Sequence, residues 1–207
     1  MTADGFTSPF ATYLWKDVGS AIAEDLATYT EGVRLIPSDD LTVLSTMLKW
    51  TMTCYQGTLI DYKDENEVKN LYVIAPVLHA VGQLVPGLSV DVNENVDGIH
   101  VDCHAYFDFV IKSGNRKVCV VQAKGEIFNN AVVQALLGCE VVAHRDDCHE
   151  VYAVVTNAQK WIFLRSLDEN VSIDEFNTLT FLADGGANLA EMALVTGKLY
   201  SMLAPSK

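Results

Sequence analysis

The chain has 207 residues, half of them hydrophobic and a fifth charged, which suffices for one well-buried domain and excludes wholesale disorder. No apolar run approaches the roughly 20 residues that span a bilayer, so residues 71–85, broken by Pro76, His79 and Gln83, read as core and no membrane partner is expected. With 27 acidic against 14 basic side chains the formal net charge is −13; such a surface repels phosphate backbones, so any nucleic-acid role must rest on a local basic group, a bound metal or a partner. The five cysteines are an odd number without CxxC spacing and read as reduced, mostly buried thiols. The first ten residues show neither the basic nor the apolar region of a secretory leader. The cysteines point to an intracellular protein, in cytoplasm or nucleus, while the missing leader says little about secretion of a longer parent protein.

In residues 12–29, Leu14, Val18, Ile22 and Leu26 recur at every fourth position, the stripe of a helix. A second helix follows the Pro37 connector, capped by Asp39 or Asp40 and running to about Gln56, with Leu44, Met47, Leu48 and Thr51 on its apolar side. From Asp64 a third helix carries acids in its first turn, where they complement the macrodipole. Its buried stripe is Leu71, Ile74, Val77, Leu78 and Val81, with Pro76 as a kink or break. Glu67, seven residues before Ile74, falls on or beside that stripe. It is a helix-start charge or an acid aimed into a site. His79 reads as a core histidine. Pro86-Gly87 ends the helix, residues 91–98 read as a loop, and residues 99–104 as a strand.

Residues 106–124 form the hairpin on which the rest is arranged: two β-branched and aromatic runs flank Ser113-Gly114-Asn115, whose Gly and Asn tolerate the positive φ of a tight turn. A three-residue loop at 114–116 sets Asp108 opposite Gln122. Strict alternation then places Tyr106, Asp108, Val110, Val118, Val120, Gln122 and Lys124 on one face. This polar cluster suits a hard cation, which favours oxygen ligands, with Lys124 to position a water; the alternative is an ordinary cross-strand Asp/Lys pair. A helix from about Asn129 follows, with Val132, Leu136, Cys139, Val142 and Ala143 inward and Gln134 on a neighbouring face. Strands at 150–156 and 160–167 surround Asn157-Ala158-Gln159. Residues 168–177 read as loop, 179–182 as a short strand, and 187–203 as a closing helix after Gly185-Gly186. The fold class is α/β, a mixed central sheet with helices on both sides, because the helix between Lys124 and Val151 acts as a crossover.

With Glu67, Asp108 and the tripeptide Gln122-Ala123-Lys124 in this order, the chain resembles the PD-(D/E)XK nuclease superfamily. The stretches E-V-K-N-L-Y-V-I-A-P-V-L and V-Y-A-V-V-T-N-A-Q-K-W-I-F-L resemble nuclease-like domains of crinkler-type effectors and of restriction-enzyme subunits. The resemblance implies a restriction-endonuclease-like αβββαβ core at 63–167, a helical extension at 1–62 and a C-terminal strand and helix at 168–207, all in one domain. It further implies that Glu67, Asp108, Gln122 and Ala123 hold Mg²⁺ or Mn²⁺, that Lys124 orients the attacking water and that Gln134 contacts substrate or Lys124. The partner implied is DNA or RNA, bound weakly in isolation because of the charge. Gln122 stands where the family majority has an acid, as in the Mrr-like branch.

The main alternative is a protein-interaction module that keeps the fold with a degenerate site. Zinc is not expected, because adjacent residues on a strand face opposite sides and neither Cys103-His104 nor Cys148-His149 chelates easily. No GxxxxGK[ST] or GxGxxG marks a nucleotide site, and Gly185-Gly186 reads as a turn before it reads as a phosphate cradle.

Overall fold

The computed structural model describes residues 8–9, 27–28, 32–56, 70–97, 103–114, 116–123, 128–167, 170–174 and 176–204. It is mixed α/β. Helix α1 spans Ser38–Gln56, with Asp39 and Asp40 in its first turn. Leu44 and Leu48 are buried, whereas Met47 is 44% exposed and stands outside the expected apolar side. A π-helical turn, Asn70–Ile74, runs into α2, Ala75–Leu84. Pro76 lies at the start of α2, where a missing N–H costs least, so the expected break is a change of helix type. Val73, Ile74, Val77, Leu78 and Val81 are buried, and His79 is exposed, which corrects its reading as a core residue.

Three antiparallel strands follow: β3, Leu88–Asp97; β4, Cys103–Ser113; and β5, Arg116–Ala123. The first of these corrects the sequence reading. Residues 91–97 of the stretch read as an acidic loop belong to β3; of the strand expected at 99–104, Cys103 and His104 are the start of β4 and the rest lies outside the described residues. Pairing along β4 overrides the low strand propensity of Asp and Asn. The acids are accommodated because Asp91 and Glu94 both accept hydrogen bonds from Lys112, Glu94 at 3.1 Å.

The crossover helix α3, Phe128–Asp146, leads to β6, Glu150–Thr156, which pairs parallel with β5. Strand β7, Lys160–Leu167, returns antiparallel. The turn between them is built by side chains: Asn157 Oδ1 accepts from the N–H groups of Gln159 (3.1 Å) and Lys160 (2.7 Å). Thr156 Oγ1 accepts from the N–H of Ala158 at 3.0 Å, with Ala158 at a φ of 74°. Beyond β7, two short strands occupy the stretch read as loop: β8, Asn170–Ile173, and β9, Asn177–Thr178. Strands β8 and β9 both pair with β7, which offers a free ladder that propensity alone does not reveal. Within the short strand expected at 179–182, Phe181 makes an isolated bridge to Ala187. Helix α4, Leu189–Leu203, closes the chain; Asn188 caps it by accepting from Ala190 N and Glu191 N.

Two pieces of the N-terminal region complete the sheet. Ser8–Pro9, β1, runs parallel to β4, and Ala27–Thr28, β2, parallel to β8. Ala27 and Thr28 were expected at the end of a helix over 12–29 and are strand instead; the remainder of that helix lies outside the described residues. The sheet separates two cores. Helices α1, α2 and α4 pack with Phe109, Ile111, Val121, Trp161 and Phe163 on one face. Helix α3 packs with Phe107, Val110, Val151, Ala153 and Ile162 on the other, Val132, Leu136, Cys139 and Val142 pointing inward as expected.

Candidate functional site

Asp108 is half-buried on β4 between Phe107, fully buried, and Phe109, 3% exposed. The hydrogen-bonded pairs Ile111 with Cys119, Val110 with Val120 and Phe109 with Val121, continued by one residue, bring Asp108 abreast of Gln122. That is the expected juxtaposition, reached by another route. Ser113 pairs with Arg116, so the hairpin has a two-residue connection at Gly114-Asn115, with Gly114 at a φ of 60°. The register then shifts between Ile111 and Lys112, leaving Val118 as the extra residue of a bulge. A three-residue loop and a two-residue loop with one bulge give the same pairing at Asp108.

Strict alternation does not survive around Asp108. Phe107 and Val110 enter the α3 core while Phe109 and Ile111 enter the opposite one. Three residues apart, the first two can share a face only if the pleat is interrupted between them. The interruption is visible on β3: the ladder pairs Val92 with Phe109 and Glu94 with Phe107 but skips Asn93, whose φ is 56°. Asn tolerates this left-handed conformation better than most residues. The single face containing Tyr106, Asp108 and Val110 is therefore corrected: Tyr106 is 60% exposed and Val110 fully buried. The same break allows Asp91 and Glu94 to reach one ammonium. Lys112 is held above the ordinary lysine range first by the hydrogen bond it donates to Asp91, against partial desolvation, with Glu94 adding in the same direction.

The backbone of Gln122 and Ala123 ends β5, in register with Val155 and Thr156 of β6. Helix α3 begins at Phe128, and Gln134, half-buried, lies in its second turn. The topology thus brings Asp108, Gln122 and Ala123 to one end of β5, with the start of α3 following in the chain. Glu67 and Lys124 lie outside the described residues. An aspartate carboxylate, an amide oxygen and a main-chain carbonyl are hard oxygen donors, the set that Mg²⁺ or Mn²⁺ prefers. Among the described residues no three His, Cys, Asp or Glu side chains gather as a metal set.

The other sequence candidates separate. Cys103-His104 begin β4, whose start lies by the C-terminal end of antiparallel β5, whereas Cys148-His149 precede β6, which starts by the other end. Cys148 is buried and its Sγ donates to the Asp146 carbonyl at 3.5 Å. Gly185, at a φ of 81°, turns the chain before α4, and Asp184 Oδ1 accepts from Gly186 N at 3.0 Å. Lys49 first, and then that N–H, hold the Asp184 carboxyl below its usual value. A carboxylate in that position opposes a phosphate. The sequence reading passed over Asn93, Asn95 and Lys112. The signal was present in D-V-N-E-N opposite an apolar strand, but polar composition was taken for a loop.

No helix among the described residues is long and apolar enough to cross a membrane. No family model matches the chain. It is similar to Crinkler effector protein 5 of Phytophthora infestans, with 32% identity over 177 residues that cover 85% of this chain and 49% of that protein. The chain spans about half the length of the curated relative it matches. The similarity suggests the crinkler-like family.

Proposed function

We propose that this chain is a crinkler-type effector domain that acts inside cells and hydrolyses phosphodiester bonds of DNA or RNA with Mg²⁺ or Mn²⁺, on a restriction-endonuclease-like core. The observation that carries the reading is the hairpin register that sets Asp108 abreast of Gln122 at the end of β5. The order α2, β3, β4, β5, α3, β6, with β6 parallel to β5, agrees with the αβββαβ core of that superfamily. In this reading Asp108, the Gln122 side-chain oxygen, the Ala123 carbonyl and Glu67 hold the ion. A divalent ion bound there polarises the scissile phosphate and acidifies a water. Lys124 orients that water and offsets charge that develops in the transition state. Gln134 hydrogen-bonds the substrate or Lys124.

The test is cleavage of plasmid, single-stranded DNA and RNA in Mg²⁺ or Mn²⁺ by the wild type, Asp108→Ala and Lys124→Ala. Both variants should lose cleavage while keeping the far-UV spectrum and melting transition of the parent. Equal cleavage by the variants removes the assignment.

A second reading is a protein-interaction module with a degenerate site. It is favoured by the formal charge of −13 and by Gln122 in place of the common acid, which removes one negative charge from the ion site. Absence of metal-dependent cleavage by the wild type, on every substrate above, would favour it.

A further inference from the structure

Around Asp108 the edge of the sheet exposes groups suited to a nucleobase more than to a phosphate. Tyr106, two residues before Asp108 on β4, is 60% exposed. Its ladder partner on β3 is Asn95, also exposed. Asn93, at the break in pairing abreast of Asp108, is exposed as well, and Val92 beside it is 61% exposed. The neighbouring acids are engaged, since Asp91 and Glu94 both accept from Lys112. What the ladder presents is an aromatic ring paired with one neutral amide, with a second amide and an apolar side chain exposed further along β3.

Rings stack on any base, and amides hydrogen-bond to the base edges that are free when a strand is unpaired. A duplex hides its base faces and offers rows of phosphate, from which a chain of net charge −13 gains little. Two residues along a strand separate Cα atoms by about 7 Å, so a base held on Tyr106 lies at the same end of β4 as Asp108. We infer that Tyr106, with Asn93 and Asn95, is a base-binding platform that selects single-stranded polynucleotide for the site at Asp108. The inference rests on the nuclease reading above and names its substrate class.

Binding is measured by fluorescence anisotropy in EDTA, where cleavage is suppressed, with the full 207-residue chain. The probes are a labelled oligo-dT, an oligo-U and a duplex of equal length. Both single strands should bind about tenfold more tightly than the duplex. Tyr106→Ala should weaken single-strand binding about tenfold and Tyr106→Phe by less than about twofold, as expected for one stacked base. Wild-type affinity in Tyr106→Ala, duplex binding as tight as single-strand binding, or no binding of any probe overturns the inference. Cleavage in Mn²⁺ separates the two readings. Asp108-dependent cleavage that ignores strandedness and Tyr106 sinks the platform alone. Tyr106-dependent single-strand binding without Asp108-dependent cleavage sustains the platform and sinks the nuclease.

Discussion

The ring of Phe107 lies so close to the backbone of Gly138 that a Cβ on the glycine would stand 2.2 Å from the ring Cζ and 2.9 Å from Cε2. Phe107 is fully buried and immediately precedes Asp108. The approach of α3 to the sheet therefore bears on the backbone that carries the candidate ligand. A glycine inside a helix usually costs about 1 kcal/mol against alanine, but here alanine does not fit. Gly138→Ala should destabilise the protein by about 1–3 kcal/mol through overpacking, measured by urea denaturation. Phe107→Leu in the same chain should recover part of that loss.

Asp174 and Lys198 form an ion pair with side chains only 6% and 12% exposed, tying α4 to the segment between β8 and β9. Asn177 Nδ2 donates to the same carboxylate at 3.4 Å, and the Lys198 ammonium stands 6.0 Å from the centre of the Phe163 ring. Removing one member strands the other away from water. Asp174→Asn or Lys198→Met should each cost roughly 3 kcal/mol, and Asp174→Leu combined with Lys198→Met less than the sum of the single changes. Denaturant midpoints of the single and double variants decide this.

Two groups set opposite pH limbs. The Glu191 carboxylate accepts from Thr180 N and Thr180 Oγ1, each at 2.6 Å, and these bonds lower its pKa from the ordinary 4.5. A lowered carboxyl contributes stability above its unfolded value and loses it as pH falls through the folded one. Glu191→Gln should therefore lower the melting temperature at neutral pH and flatten its decline below pH 4.5. Lys112 has the opposite sign: its pKa is raised from 10.5 by Asp91 and Glu94. Its contribution is complete below that value and is lost as pH rises through the raised one, so Lys112→Met should flatten the alkaline limb. Melting curves across the pH range test both.

Trp161 is fully buried and its Nε1 donates to the Ala158 carbonyl at 3.0 Å, whereas Trp50 on α1 is 71% exposed. Trp161→Phe should cost roughly 2 kcal/mol, from lost packing and an unpaired carbonyl. Trp50→Phe should stay within about 0.5 kcal/mol. The emission shift on unfolding should fall sharply in the first variant and persist in the second.

The sequence on its own determined the elements with strong periodicity: α1, α3, the hairpin, β6 and β7, each within a few residues of its observed bounds. Local chemistry suffices there, because an apolar period and a turn residue specify the conformation without a partner. It also placed Asp108 abreast of Gln122, since the loop with a bulge and the loop without one end in the same register. Tertiary structure alone decided that Leu88–Asp97 is a strand, that Asn170–Ile173 and Asn177–Thr178 add to β7, and that Ala27–Thr28 joins β8. Asn170–Ile173, Asn177–Thr178 and Ala27–Thr28 carry too little apolar pattern to declare themselves, and each is strand because a neighbouring ladder satisfies its backbone; in Leu88–Asp97 the alternation of Leu88, Val90 and Val92 is outweighed by the acids and amides around it until β4 pairs with it. The break at Asn93, which separates Tyr106 from Val110, likewise exists only in the paired sheet. A pleat is interrupted between two strands, and a linear pattern of alternation holds no record of it.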